Sequence, residues 1–198
     1  MASVASRPRA PWIRRFVTRL VLWILPVAAL WLALEPFYNK FLAASGERLL
    51  RMTESPAVTR LYVKDTHSVI VTRSDYAAEK GYLYGFRVGD VHFHLILLGA
   101  LMLAVPDIPG RKRWENLGWS VLATIFFDIL LVFFFVKFAY STQLGQWSRE
   151  HYGVFGRNFW GLGKHLLDLP FKFALPFLLW GAFYYGEFLA HLRPAKPV

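Results

Sequence analysis

Apolar residues along this chain gather into four blocks rather than alternating with polar ones. Residues 16–37 (FVTRLVLWILPVAALWLALEPF) form the first, with Trp23 and Trp31 inside and a helix-bending Pro26. The second, residues 91–105, is short against the roughly 20 helical residues that a hydrocarbon core needs. It must begin upstream near Phe86 or sit among neighbours that cover its ends. Residues 117–140 (LGWSVLATIFFDILLVFFFVKFAY) make the third and clearest block. Residues 169–190 (LPFKFALPFLLWGAFYYGEFLA) make the fourth, with Pro170 near its start and Pro176 inside. The pattern predicts an α-helical integral membrane protein with four transmembrane helices.

The pattern changes between the first two blocks. Within residues 38–55, Phe41, Leu42, Leu49, Leu50 and Met52 are spaced as on an amphipathic helix, expected to lie on the membrane surface until Pro56. Two β-rich runs, residues 61–63 and 69–72, then flank the turn-like KDTHS, which predicts a hairpin. A lone hairpin is marginal in water, so residues 82–86 (YLYGF) are expected to add a third strand. Residues 141–168 are rich in Trp, Tyr, Phe and Gly and read as an aromatic loop at the membrane interface. The organisation is thus residues 1–37 (basic N-terminus and first span), 38–90 (amphipathic helix and small β segment), 91–140 (second span, basic loop, third span), 141–168 (aromatic loop) and 169–198 (fourth span and basic tail).

Charge sets the orientation. The net charge is +10, yet the cations flank the apolar blocks instead of forming a stripe interleaved with exposed aromatics, which argues against nucleic acid. Arg7, Arg9, Arg14, Arg15 and Arg19 precede or open the first span, Arg111, Lys112 and Arg113 separate the second from the third, and Arg193 and Lys196 follow the fourth. Four crossings bring all three basic segments to one face, which the positive-inside rule makes cytoplasmic. Both termini are expected inside, and residues 38–90 and 141–168 outside. Hydrophobic residues make up 56% of the chain and charged ones 18%, against about 25% charged in soluble domains. The first apolar run reads as a retained anchor rather than a cleaved leader.

Candidate chemistry is sparse. With no cysteine, disulfides, thiolate catalysis and iron–sulfur ligation are excluded. The stretch GVFGRNFWGLGKH is glycine-rich but lacks Walker spacing and a preceding strand, and no GxSxG elbow occurs. His92 and His94 stand at the mouth of the second span. On one regular helix they point about 200° apart and cannot share a metal, so they read as interfacial contacts, and neither a metal nor a cofactor is expected. Charges within spans are costly and often functional. Lys137 and Lys172 lie near the outer ends of their spans and can snorkel outward, and Glu187 can reach the inner headgroups. Asp128, amid phenylalanines near mid-span, has no such escape. It must be neutral, hydrogen-bonded to another helix or facing a wet cavity, and Trp180 at similar depth is a candidate donor. Helix packing, a proton or ligand path and contact with a partner subunit all remain open for it. Arg149 and His151, with Glu150, form an outer cluster suited to a headgroup or protein contact.

From Val91 to Trp119, VHFHLILLGALMLAVPDIPGRKRWENLGW resembles the accessory membrane proteins encoded beside bacterial exosortases, the exosortase H-associated kind above all. Those combine a first span, a small outer β-containing segment, and a span ending in LALxLATP before a basic loop. The equivalent stretch here is LGALMLAVP, with Val105 in the place of the threonine. The resemblance implies a non-catalytic accessory role in envelope protein sorting at the bacterial inner membrane, and the family brings no catalytic residues with it. The alternative is a structural subunit of a larger membrane complex, such as a photosynthetic or respiratory assembly. Either way the expected partners are membrane lipids and other membrane-protein subunits.

Overall fold

The computed structural model describes residues 10–192. Arg7, Arg9, Arg193 and Lys196 lie outside the described residues. The protein is mostly helical (74%) and carries one small sheet.

Helix α1 (Ala10–Met52) holds the first apolar block and does not stop there. Sequence reading ended the span near Phe37 and laid a separate helix on the membrane surface. Instead the helix passes through Pro26 and Pro36 without a break. A proline costs one backbone hydrogen bond, and packing on both sides of it can hold the helix together. That packing is close. A Cβ on Gly46 would come within 2.7 Å of Val132 on α4 (Gly110–Thr142), so only glycine lets these two helices approach as they do. At about 1.5 Å per residue, so long a helix exceeds the roughly 30 Å hydrocarbon core, and its second half serves as a post for the sheet.

The sheet has the predicted strands. β1 (Thr59–Lys64), β2 (Ser68–Arg73) and β3 (Tyr84–Arg87) pair antiparallel in that order. Leu61 pairs with Val71 and Val63 with Val69, which in turn pairs with Phe86. Alternation aims these residues at one face, where they join Leu42 and Leu50 of α1 and Val132, Phe135, Val136 and Tyr140 of α4 in one core. The edge of β1 is blocked by carboxylates: the Leu61 amide donates to Glu47 at 2.9 Å and the Thr59 amide to Glu54 at 3.1 Å. An edge so capped is closed to stray strand pairing.

The second apolar block is two short helices, α2 (Gly89–His92) and α3 (His94–Ala104), hinged at Phe93. Together they are shorter than a bilayer helix, and nearly every side chain of α3 is enclosed by protein. Around it lies a second core of Trp12, Leu95, Leu98, Met102 and Tyr184. α4 (Gly110–Thr142) is the third block, as predicted.

The stretch read as an aromatic loop, residues 141–168, is helical: α5 (Gln146–His151) and then α6 (Val154–Leu166). α6 runs through a π-helical turn (Leu167–Phe171) into α7 (Lys172–Leu192). The wider π turn takes in Pro170, so the residue expected to mark the start of a span sits within a continuous helix. Among the described residues three helices are therefore long and apolar enough to cross a membrane: Trp12–Met52, Gly110–Thr142 and Val154–Leu189.

The two ends of the bundle differ. At one, Arg15 of α1 pairs with Asp107 at 3.0 Å, Lys112 of α4 with Glu187 of α7 at 2.6 Å, and Trp12 meets Phe188. The cation-bearing start of α1 and start of α4 thus share that end with the end of α7, and the sheet caps the other.

Candidate functional site

Beneath the sheet, α1, α2, α3, α4 and α7 bring polar side chains into an otherwise apolar interior. The hinge at Phe93 separates the two histidines. His92 turns to α1, where its Nε2 lies 2.7 Å from Asn39 Oδ1. His94 turns to α4, where its Nε2 lies 3.5 Å from Asp128 Oδ1, too long for a good hydrogen bond. On the other carboxylate oxygen, Tyr38 donates its hydroxyl to Asp128 Oδ2 at 2.8 Å. Asp128 and Asn39 are fully buried, His92 and His94 nearly so.

Aromatic rings close the cluster. The Trp31, Tyr38 and His92 rings meet edge to face at 5.0 to 5.2 Å, and Phe127 packs against His94 at 5.9 Å. The Asn39 Nδ2 donates to the Thr66 carbonyl at 2.8 Å, and His67 Nδ1 lies 3.2 Å from Glu35 Oε1. Both contacts seat the β1–β2 turn on α1. That turn holds Asp65 and Thr66 in the left-handed region (φ 53° and 61°), a strained position for a β-branched residue. The sheet is therefore linked through Asn39 to His92 and, by ring contact, to the residues around Asp128.

The other sequence-predicted residues fall elsewhere. Trp180 does not reach Asp128; it packs between Phe16 and Phe188, and its indole nitrogen is buried without a hydrogen-bond partner. Lys172 turns inward rather than snorkelling, donating to Asp168 at 2.6 Å and to the Asp90 carbonyl at 2.9 Å. It thereby ties α7 to the start of α2. Lys137 is also buried, its ammonium 5.6 Å from the centre of the Phe133 ring. Glu187 meets Lys112 rather than standing alone. The outer cluster of Arg149 and His151 divides: His151 stacks on Trp147 at 4.1 Å, while Arg149 is exposed. The Arg73 guanidinium lies over the rings of both Trp147 and Tyr140, at 4.9 and 4.8 Å, and Arg73 pairs with Glu54 and Asp75. This stack fastens the sheet to α4 and α5.

Sequence reasoning missed Tyr38 and Asn39 because it ended the first span one residue before them. It also missed a spacing signal in α4. Asn116, Ser120, Thr124 and Asp128 recur every four residues in an apolar helix, and all four are buried. Among the described residues no group of three or more His, Asp or Glu side chains is placed to hold a metal ion.

A carboxyl, an imidazole and a phenol held at the meeting of three helices are suited to two tasks. They can join helices through hydrogen bonds, and they can hold an exchangeable proton where water is scarce.

Fold and site together define a helical membrane protein whose spans carry a small sheet at one end and a buried polar cluster beneath it. The chain belongs to the family of exosortase H-associated membrane proteins, whose profile matches residues 10–186. Neither the curated proteins nor the solved structures compared with it gave a match.

Proposed function

We propose that this protein is a non-catalytic accessory subunit of an exosortase-type protein-sorting system in the bacterial inner membrane. The family match over nearly the whole chain carries the reading. In this reading α2 and α3 make a fourth, protein-sheathed crossing between α1 and α4. Both termini and the cation-rich end face the cytoplasm, in keeping with the positive-inside rule, and the sheet faces outward, where sorted proteins are handled.

Three features support an accessory role. The buried polar groups are spent on joining sheet and helices: Asn39 to Thr66, Tyr38 to Asp128, Lys172 to Asp90. Long apolar stripes stay exposed on α1 (Val21, Leu25, Leu32) and on α6 (Phe155, Phe159, Leu162), available to lipid and to partner helices. The glycine-rich helix α6 offers no phosphate cradle.

Affinity purification of the tagged full-length chain from its native membrane tests the proposal. The exosortase is expected to co-purify in stoichiometric amount, and deletion of the chain is expected to impair maturation of sorted proteins. Normal sorting in the deletion strain, with no exosortase in the eluate, would overturn it.

A further inference from the structure

The four-residue repeat on α4 has a property that packing does not require. Asn116, Ser120, Thr124 and Asp128 lie along one i, i+4 ridge of the helix and are all buried, Ser120, Thr124 and Asp128 completely. Thr124 bonds back to the Ser120 carbonyl at 2.8 Å. Asn116 has only the Tyr184 hydroxyl beside it, and Ser120 Oγ and Asp128 Oδ1 have no hydrogen-bond partner in the protein. Beyond Asp128 the series continues with both ring nitrogens of His94 and with His92 Nδ1. Drifting about 40° per four-residue step, the α4 members wind along the helix from the end marked by Arg113 to the cluster beneath the sheet. The part on α4 spans about 18 Å at 1.5 Å per residue.

Buried polar groups almost always find a partner. A neighbouring subunit cannot supply one here, because the side chains are covered within the single chain. Lipid tails offer no hydrogen bonds. Water fits, being small and able to give and accept, and internal water is the usual answer to buried groups of this kind. We infer that a file of internal water runs along α4 from Asn116 to Asp128 and gives the Asp128–His94 pair proton exchange with the membrane face at which α4 begins. At the inner end of the file, Tyr38 of α1 bonds one carboxylate oxygen while His94 of α3 approaches the other. Lys172 of α7 is the nearby cation, held by Asp168. The pair holds one proton, on carboxyl or imidazole, and trades it with the file. At the outer end, Tyr184 of α7 lies against Asn116, with its hydroxyl 3.5 Å from the Met102 carbonyl. This goes beyond the accessory role and does not depend on any partner.

Hydroxyl-radical footprinting of the purified, detergent-solubilised protein tests for the water directly. Tyr184 and Tyr140 are equally buried, but the Tyr140 hydroxyl is satisfied by Thr59 at 2.7 Å, away from the file. Tyr184 and His94 are expected to label several-fold faster than Tyr140. Equal protection of all three would overturn the inference. A second measurement follows the infrared carboxyl band that Asp128→Asn removes, after transfer into heavy water. Thr124→Val and Asn116→Leu are expected to slow its exchange at least tenfold at unchanged melting temperature. Exchange as fast as in the parent protein would sink the file, and footprinting of the parent decides alone if neither variant folds.

Discussion

Tyr38 and Asp128 stand 90 residues apart in the chain and are joined by a 2.8 Å hydrogen bond in the interior of the bundle. It is a direct polar tie between α1 and α4. Hydrogen bonds between membrane helices average about 0.6 kcal/mol and reach about 1.7. Tyr38→Phe is therefore expected to lower stability by roughly that average amount, measured by unfolding in mixed micelles. Asp128→Asn keeps an acceptor for Tyr38 and is expected to leave expression and assembly nearly unchanged, whereas Asp128→Leu loosens the helices. An Asp128→Asn protein that no longer assembles would show that the charge itself, and not the bond, holds the site.

The approach of α1 to α4 at Gly46 gives a sharper structural prediction. A methyl group there would sit 2.7 Å from Val132. Gly46→Ala is expected to cost about 1–3 kcal/mol through overpacking. Gly46→Ala combined with Val132→Ala should recover part of that loss. A single variant as stable as the parent would mean that the two helices can part without penalty.

Topology is open to a direct labelling test. A cysteine placed at Ser68, on the sheet, should react with a membrane-impermeant maleimide added to spheroplasts from outside, and one placed at Ala195 should not. The protein has no native cysteine to confuse the result. The reverse pattern would invert the orientation proposed for both ends.

Acid should loosen the sheet by a small, assignable amount. The Arg73 guanidinium donates to Asp75 at 2.8 and 2.9 Å, and these hydrogen bonds hold the Asp75 carboxyl below its ordinary value. A depressed carboxyl stabilises the fold above the unfolded-state value of about 3.9 and loses that contribution as pH falls through the folded one. The Asp75 side chain is 40% exposed, so the contribution is at most about 1 kcal/mol. Asp75→Asn should be less stable than the parent at pH 7 and equal to it at pH 2. Trp147, stacked over Arg73, offers a fluorescence probe for the denaturant titration. A difference that persists at pH 2 would assign the effect to something other than this ion pair.

The turn at Thr66 offers a gain rather than a loss. With φ at 61°, this β-branched residue is held in the left-handed region, where glycine is at ease. Thr66→Gly keeps the carbonyl that Asn39 bonds and is expected to stabilise the sheet by about 1 kcal/mol. Slower hydrogen exchange of the strand amides would register it, and faster exchange would show that the Thr66 side chain matters more than the strain.

Local patterns carried much of this architecture. The β-rich runs around Leu61–Val63 and Val69–Val71, with a turn between them, made the hairpin and the need for a third strand legible in the sequence, while the order of the sheet came from the fold. The third apolar block was equally plain, because a run of that length in hydrocarbon has only the helix to satisfy its backbone. The resemblance at residues 91–119 named the family on motif and layout. Asp128 could be singled out because a carboxyl among phenylalanines has no local partner.

Its partners were another matter, because Tyr38 and His94 reach Asp128 only through the packing of three helices. Trp180, at a similar depth, was the natural choice by sequence position, but depth does not specify which way a helix faces. Lys172 turns inward to the Asp90 carbonyl, 82 residues away in the chain, beside its i−4 neighbour Asp168, and only packing brings that carbonyl within reach. The lengths of α1 and α6–α7 were hidden for the same reason. Proline and glycine mark where a helix can end in isolation, while Gly46 against Val132 and the π turn around Pro170 show that packing decides whether it does.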